Sequence, residues 1–206
     1  PRLVKFRKKI SSKKRKQYQN ETYWGKPITG FGDINGKILF VGLAPAAHGG
    51  TRTGRVFTGD RSSDFLYKCL YGVKISNQSY SNNINDGLQL KNAYITTALK
   101  CVPPEDKPNK DELVNCFNFF QNEIENLKNL KTIIALGKIA FDTCVLFFKD
   151  KYDFKGKVNF SHGKIYNLPK NINLVACYHP SPRNVNTGRI DEKKMKQLFK
   201  KALKLN

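Results

Sequence analysis

The chain has 206 residues, enough for one domain with a sizeable buried core. Its 37 Lys and Arg against 16 Asp and Glu give a formal charge of +21, a field that favours a polyanionic partner, nucleic acid above all. With 39% hydrophobic and 12% aromatic residues it carries too much core material for a disordered basic tail. The longest apolar stretch, 132–148, is broken by Lys138 and Asp142. It falls short of the roughly 18 to 20 uncharged residues that span a bilayer. The basic N-terminus leads into neither an apolar segment nor a small-residue cleavage site. The expectation is an intracellular, cytoplasmic protein with no membrane partner. Cys69, Cys101, Cys116, Cys144 and Cys177 are dispersed and odd in number, which suits a reducing compartment better than a disulfide framework.

Residues 5–16 are mostly Lys and Arg, with Leu3, Phe6 and Ile10 at helical spacing among them. They read as a basic helix on the body, its charges either solvated or set against phosphates. Residues 23–33 (YWGKPITGFGD) hold too many breakers for helix or strand. Four short apolar runs follow, at 38–41, 93–95, 132–136 and 172–177, β-branched and separated by helical patterns. They predict buried parallel strands. Asn109 with Glu112 makes a capping box ahead of a helix whose apolar face is Leu113, Cys116, Phe117, Phe120, Ile124 and Leu127. A second helix runs from 138 through 148, and a last one covers 191–203, with Met195, Leu198, Phe199 and Ala202 facing inward. Residues 76–87 form a polar, Asn-rich loop with no evident function. The predicted fold class is α/β: a three-layer α/β/α sandwich around a small, mainly parallel sheet. One domain spans 1–206, with the basic helix and aromatic loop of 1–33 packed on it.

Ligands of open parallel sheets bind beyond the carboxyl ends of the strands. There the chain places 42–60 (GLAPAAHGGTRTGRVFTGD), the segment at Thr97, Gly137, and 179–189 beginning His179-Pro180-Ser181-Pro182-Arg183-Asn184. The first is far longer than an ordinary βα connection. Gly49 and Gly54 have P-loop separation, but Arg55 stands where Lys belongs and Val56 where Ser or Thr would hold magnesium. This argues against an NTPase and any nucleotide cofactor. His48, Arg52, Arg55, Phe57 and Asp60 remain as side chains with chemical potential, and Asp60 is the loop's one carboxylate. His48 reads as structural. His179, at a strand end in a loop stiffened by two prolines, reads as functional.

Taken together, 42–60, 23–33, the segment KCVPPEDKP at 100–108 and the HPSPRN loop resemble the B-type (family 5) uracil-DNA glycosylases of thermophilic prokaryotes. The resemblance covers nearly the whole chain. It implies the α/β/α fold of that superfamily and a monomeric, monofunctional enzyme. Such an enzyme hydrolyses the N-glycosidic bond of uracil, and of other deaminated bases such as hypoxanthine, in DNA, so starting base excision repair. The base would be extruded, stacked and held by its edge. On that reading Phe57 is the stacking platform, and Gly42, Ala44, Pro45, Ala46 and Ala47 line the base pocket. His179 donates a hydrogen bond to the base oxygen that gains charge. Ser181, Pro182, Arg183 and Asn184 form the loop that enters the duplex, and Arg52 and Arg55 meet DNA. Thr97 stands where a related branch carries an Asn that reads the base edge, which implies looser discrimination.

Residues 43–47 hold no polar side chain to position a water. Asp60 is therefore the candidate general base or electrostatic support of the sugar cation, against its reading as the cap of a helix beginning near Ser62. The resemblance also makes Cys101 and Cys116 two ligands of a 4Fe-4S cluster, which takes four thiolates. The upstream pair is not in this sequence. The cluster is then completed from outside it, incomplete or absent, or the two thiols are simply buried. The rival from another class is a DNA-binding module that keeps the fold without catalysis.

Overall fold

A computed structural model describes residues 1–205. Six strands form one sheet in the order β1-β3-β2-β4-β6-β5. The four central strands, β2 (Ile38–Gly42), β3 (Ala93–Thr97), β4 (Thr132–Leu136) and β6 (Ile172–Cys177), pair in parallel. β1 (Phe31–Gly32) and β5 (Ile165–Leu168) close the edges antiparallel. The central runs are largely apolar and buried because helices cover both faces of the sheet. Alternation divides them: Ile38, Phe40, Ile134 and Val175 point to one face, and Leu39, Val41, Ile133 and Leu174 to the other.

α3 (Arg61–Gly72) and α7 (Glu192–Leu203) cover the first face, through Leu66, Leu70, Met195 and Phe199. α4 (Lys110–Asn126) and α5 (Lys138–Tyr152) cover the second, through Phe120, Ile124, Phe141 and Phe148. The result is the α/β/α sandwich. The capping box at Asn109 and Glu112 forms, and Met195, Leu198, Phe199 and Ala202 are all buried. No helix among the described residues is long and apolar enough to cross a membrane.

The first helix, α1 (Arg2–Ser12), buries Leu3 and Arg7, whereas Phe6 and Ile10 are only half-buried. Arg7 turns inward because its guanidinium donates to the Cys101 Sγ at 2.9 Å. Residues 23–28 are tied to the body by backbone bonds: Trp24 N–H to Arg52 O, Gly25 N–H to Thr51 O, and Ile28 N–H to Lys100 O. β2 feeds α3 on one face while β4 feeds α5 on the other. The loops at their carboxyl ends therefore diverge and leave a crevice.

Candidate active site

β2 ends at Gly42, where a side chain would meet the Phe57 ring at 2.7 Å. The following loop makes one short helix, α2 (Gly50–Thr53), ends it at Gly54 in the left-handed region, and brings Phe57 back over the sheet. Phe57 itself has φ of 46°, an uncommon conformation for an aromatic residue. From β6 the chain runs to His179, whose carbonyl accepts bonds from Ser181 N–H (2.8 Å) and Asn184 Nδ2 (2.9 Å). The Phe57 and His179 rings stack at 5.9 Å with 29° between their planes. They share a cavity of about 560 Å³ with Leu43, Ala44, Ala46, Asp60, Ser181 and Pro182. That volume is in the usual range for small-ligand sites.

Asp60 caps α3, and the division of labour between its oxygens matters. Oδ1 accepts both Ser62 N–H (2.9 Å) and Ser63 N–H (3.0 Å), and Asp60 N–H donates to Ser63 Oγ at 3.1 Å. Oδ2 accepts no hydrogen bond among the described residues and lies against Gly49, where any side chain would overlap it. One oxygen is structural and the other is free. Burial raises the Asp60 pKa above the ordinary carboxylate value, the two cap N–H groups oppose that, and the nearby carboxylates Asp64 and Asp106 add to it. Burial pushes the His179 pKa down to about 4, so the imidazole is neutral at physiological pH.

Several other expected site residues lie away from this cavity. Arg55, expected to meet DNA, is buried: it donates to Thr58 Oγ1 (3.0 Å) and Ser81 Oγ (2.7 Å) and pairs with Asp86 at 2.7 Å. It is an internal strut, and the loop at 76–87 supplies its partners. Arg52 braces the same loop through His48 O (2.8 Å) and Glu21 (2.5 Å). The Thr97 side chain is buried and its hydroxyl donates to Leu99 O at 2.7 Å. It therefore supports Gly42 from beneath and presents no hydroxyl to a base edge. Pro45 packs toward Gly50, and Ala47 faces a second cavity. His48 bonds the Tyr23 hydroxyl at 2.8 Å, in keeping with a structural role. Asn184 holds the His179 backbone, and Arg183 is exposed.

Sequence reasoning missed Asp106, which lines the same cavity as Asp60. Its signal was the Pro103-Pro104 turn that holds Glu105 and Asp106 at φ of 54° and 55°. Behind it, Lys100 Nζ is buried among Thr96 Oγ1 (2.8 Å), Thr97 O (2.9 Å) and Glu123 (2.7 Å), anchoring the end of β3.

Cys101 and Cys116 share a largely apolar cavity of about 770 Å³ with Pro1, Leu3 and Arg7. The described residues hold no cluster of three or more Cys, His, Asp or Glu suited to a metal. Two thiols do not satisfy a four-thiolate cluster, so the residues present do not by themselves fit the group.

The family model for the uracil DNA glycosylase superfamily matches residues 29–204. The type-5 uracil-DNA glycosylase of Pyrobaculum aerophilum is 39% identical over 202 residues, covering 98% of this chain and 85% of that protein. Those of Mycobacterium leprae and Thermus thermophilus are each 38% identical over all of this chain and 89% and 91% of their own lengths. With a family model across most of its length and relatives of this likeness end to end, the chain belongs to the uracil DNA glycosylase superfamily, in its type-5 branch.

Proposed function

We propose that this protein is a uracil-DNA glycosylase that removes uracil, and also other deaminated bases such as hypoxanthine, from DNA as a monomer, with a water as the attacking group. The observation that carries the reading is a free Asp60 oxygen and a neutral His179 imidazole on the wall of one cavity, beside the Phe57 ring. The extruded base stacks on Phe57. As the glycosidic bond breaks, its electron pair passes to the base nitrogen, and the His179 N–H stabilises the charge spread onto the adjoining oxygen. Neutral imidazole can fill this role, because it still carries one N–H to donate. Asp60 Oδ2 orients the water, balances the developing sugar cation and takes the water proton as the C1′–O bond forms.

The breadth of substrate rests on Thr97. With its hydroxyl bonded to Leu99 O, no side chain from the end of β3 reads the base edge, so selection falls to shape and stacking. Arg183 and Pro182 enter the duplex. Cys101 and Cys116 are the two thiols of this sequence that would ligate a 4Fe-4S cluster, which takes four thiolates. The paired thiols at one cavity and the Arg7 guanidinium on Cys101 Sγ support this. Iron and acid-labile sulfide content of the purified protein tests it, independently of activity.

The test of function is base release from duplex oligonucleotides carrying one uracil, hypoxanthine or xanthine, followed as strand cleavage at the abasic site. Multiple turnovers on uracil with measurable release of the others support the reading. Release of uracil alone refutes the broad specificity, and binding without any release leaves a DNA-binding module of the same fold.

A further inference from the structure

The cavity that holds Phe57 and His179 adjoins a second one of about 630 Å³, walled by Tyr18, Ala47, His48, Gly49 and Gly59. The two cavities have Arg15, Ala46, Asp60, Arg61 and Asp106 in common, so these residues form the ridge between them. The ridge carries two carboxylates where a polyanion has to approach. Left uncompensated they would repel it.

Arg15 and Arg61 are both exposed, and among the described residues neither guanidinium enters a hydrogen bond or ion pair. This sets them apart from Arg2, Arg7, Arg52 and Arg55, which are held by Glu112, Cys101, Glu21 and Asp86. Neither sits on a floppy arm. Arg15 belongs to the extended link after α1, fastened to the motif loop by Tyr18 stacked under Arg52 at 4.0 Å and by the Tyr23 to His48 hydrogen bond. Arg61 is the first residue of α3, directly after the Asp60 cap. A free guanidinium in a fixed place, with donors matched to phosphate oxygens, is a ready anion contact.

We infer that Arg15 and Arg61 form a clamp on the DNA backbone, gripping the phosphodiesters that flank the extruded nucleotide while the second cavity receives the neighbouring sugar-phosphate. The clamp offsets Asp60 and Asp106 and sets the reacting sugar over the ridge. It rests on the glycosylase reading for the identity of the extruded nucleotide, and its grip on phosphate can be measured without catalysis.

The probe is duplex DNA with a stable tetrahydrofuran abasic analogue, scanned by replacing one phosphate at a time with neutral methylphosphonate. Arg15→Gln and Arg61→Gln should each lower the slope of log affinity against log salt by about one unit, with unchanged thermal unfolding. In the wild type, methylphosphonate should weaken binding most at the linkages flanking the analogue. At its own linkage each variant should show no further loss. Losses that add at every linkage, a flat scan, or an unchanged salt slope would overturn the clamp. Should the protein bind with this signature yet release no uracil, the glycosylase reading fails and the clamp stands. Release of uracil with a flat scan is the converse result.

Discussion

Arg55 and Asp86 meet at 2.7 Å with side chains only 3% and 5% exposed, and this pair fastens the Gly-rich loop to the Asn-rich loop beside it. Burial works against the Asp86 charge. Arg55 and the N–H groups of Asn82 and Leu88 outweigh it and hold its pKa below the ordinary carboxylate value. The contribution to stability is therefore present above that ordinary value and is lost as pH falls through the lower folded one. Asp86→Asn leaves the guanidinium buried without its counter-charge, a change that costs about 3 to 5 kcal/mol and lowers Tm by on the order of 10 °C. Thermal unfolding monitored by circular dichroism checks this. A Tm within a degree or two of wild type would mean that Ser81 and Thr58 suffice to hold Arg55.

That pair also shows where the sequence stops being legible. β2, β4 and β6 were readable because strands covered on both faces are largely apolar, and the capping box at Asn109 and Glu112 is a local signal. β1 and β5 escaped notice because they are short and half-buried, and exist only through antiparallel partners in distant residues. In the site, Phe57, Asp60 and His179 could be picked out from strand ends and a long loop. Arg55 could not be told from a surface cation, since its carboxylate lies 31 residues away. Thr97 occupies the position where a related branch carries an Asn, and no local signal announces that its hydroxyl donates to Leu99 O.

The Phe57 ring meets Gly42 through its Cε2 and Cζ atoms and stacks on His179. Phe57→Ala removes stacking worth about 1 to 3 kcal/mol per base, so single-turnover rates should fall to a similar degree on uracil and hypoxanthine. Phe57→Leu restores most of the packing but no π-face, and should recover stability without recovering rate. If Leu recovers both, Phe57 is a core residue and the base stacks elsewhere.

The acid limb of the pH profile separates the two ionisable groups. His179, lowered from 6.5 to about 4, stays neutral well into the acid range. The Asp60 pKa lies above its ordinary 3.8 through burial, so on acidification it protonates earlier than an exposed carboxylate would. Rate requiring the carboxylate should thus fall as pH drops through the Asp60 pKa, with no step near 6.5. His179→Ala, which removes the donor, should lower the plateau by about 10²-fold and leave the position of the limb unchanged. Single-turnover rates across pH test both statements, and a step near 6.5 would mean that the imidazolium takes part.

Asp60 carries the most specific expectation because its two oxygens do different work. Oδ1 holds the first turn of α3 through Ser62 and Ser63, while Oδ2 faces Gly49 with no partner. Asp60→Asn keeps an oxygen for the cap, and Asn caps helices about as well as Asp. It removes the charge that balances the sugar and the basicity that takes the water proton. The single-turnover rate should fall by about 10²-fold or more, with Tm near wild type and affinity for abasic DNA no weaker than wild type, and the acid limb of the profile should vanish. Asp60→Ser retains a cap but no carboxylate and should match Asn in rate. Asp60→Ala should lose the same rate and about 1 kcal/mol of stability besides. A rate that follows stability across the three variants, high in Asn and Ser and low only in Ala, would assign Asp60 to the helix. The water would then be left to Asp106 or to the backbone of Ala44 and Ala46, which line the same cavity.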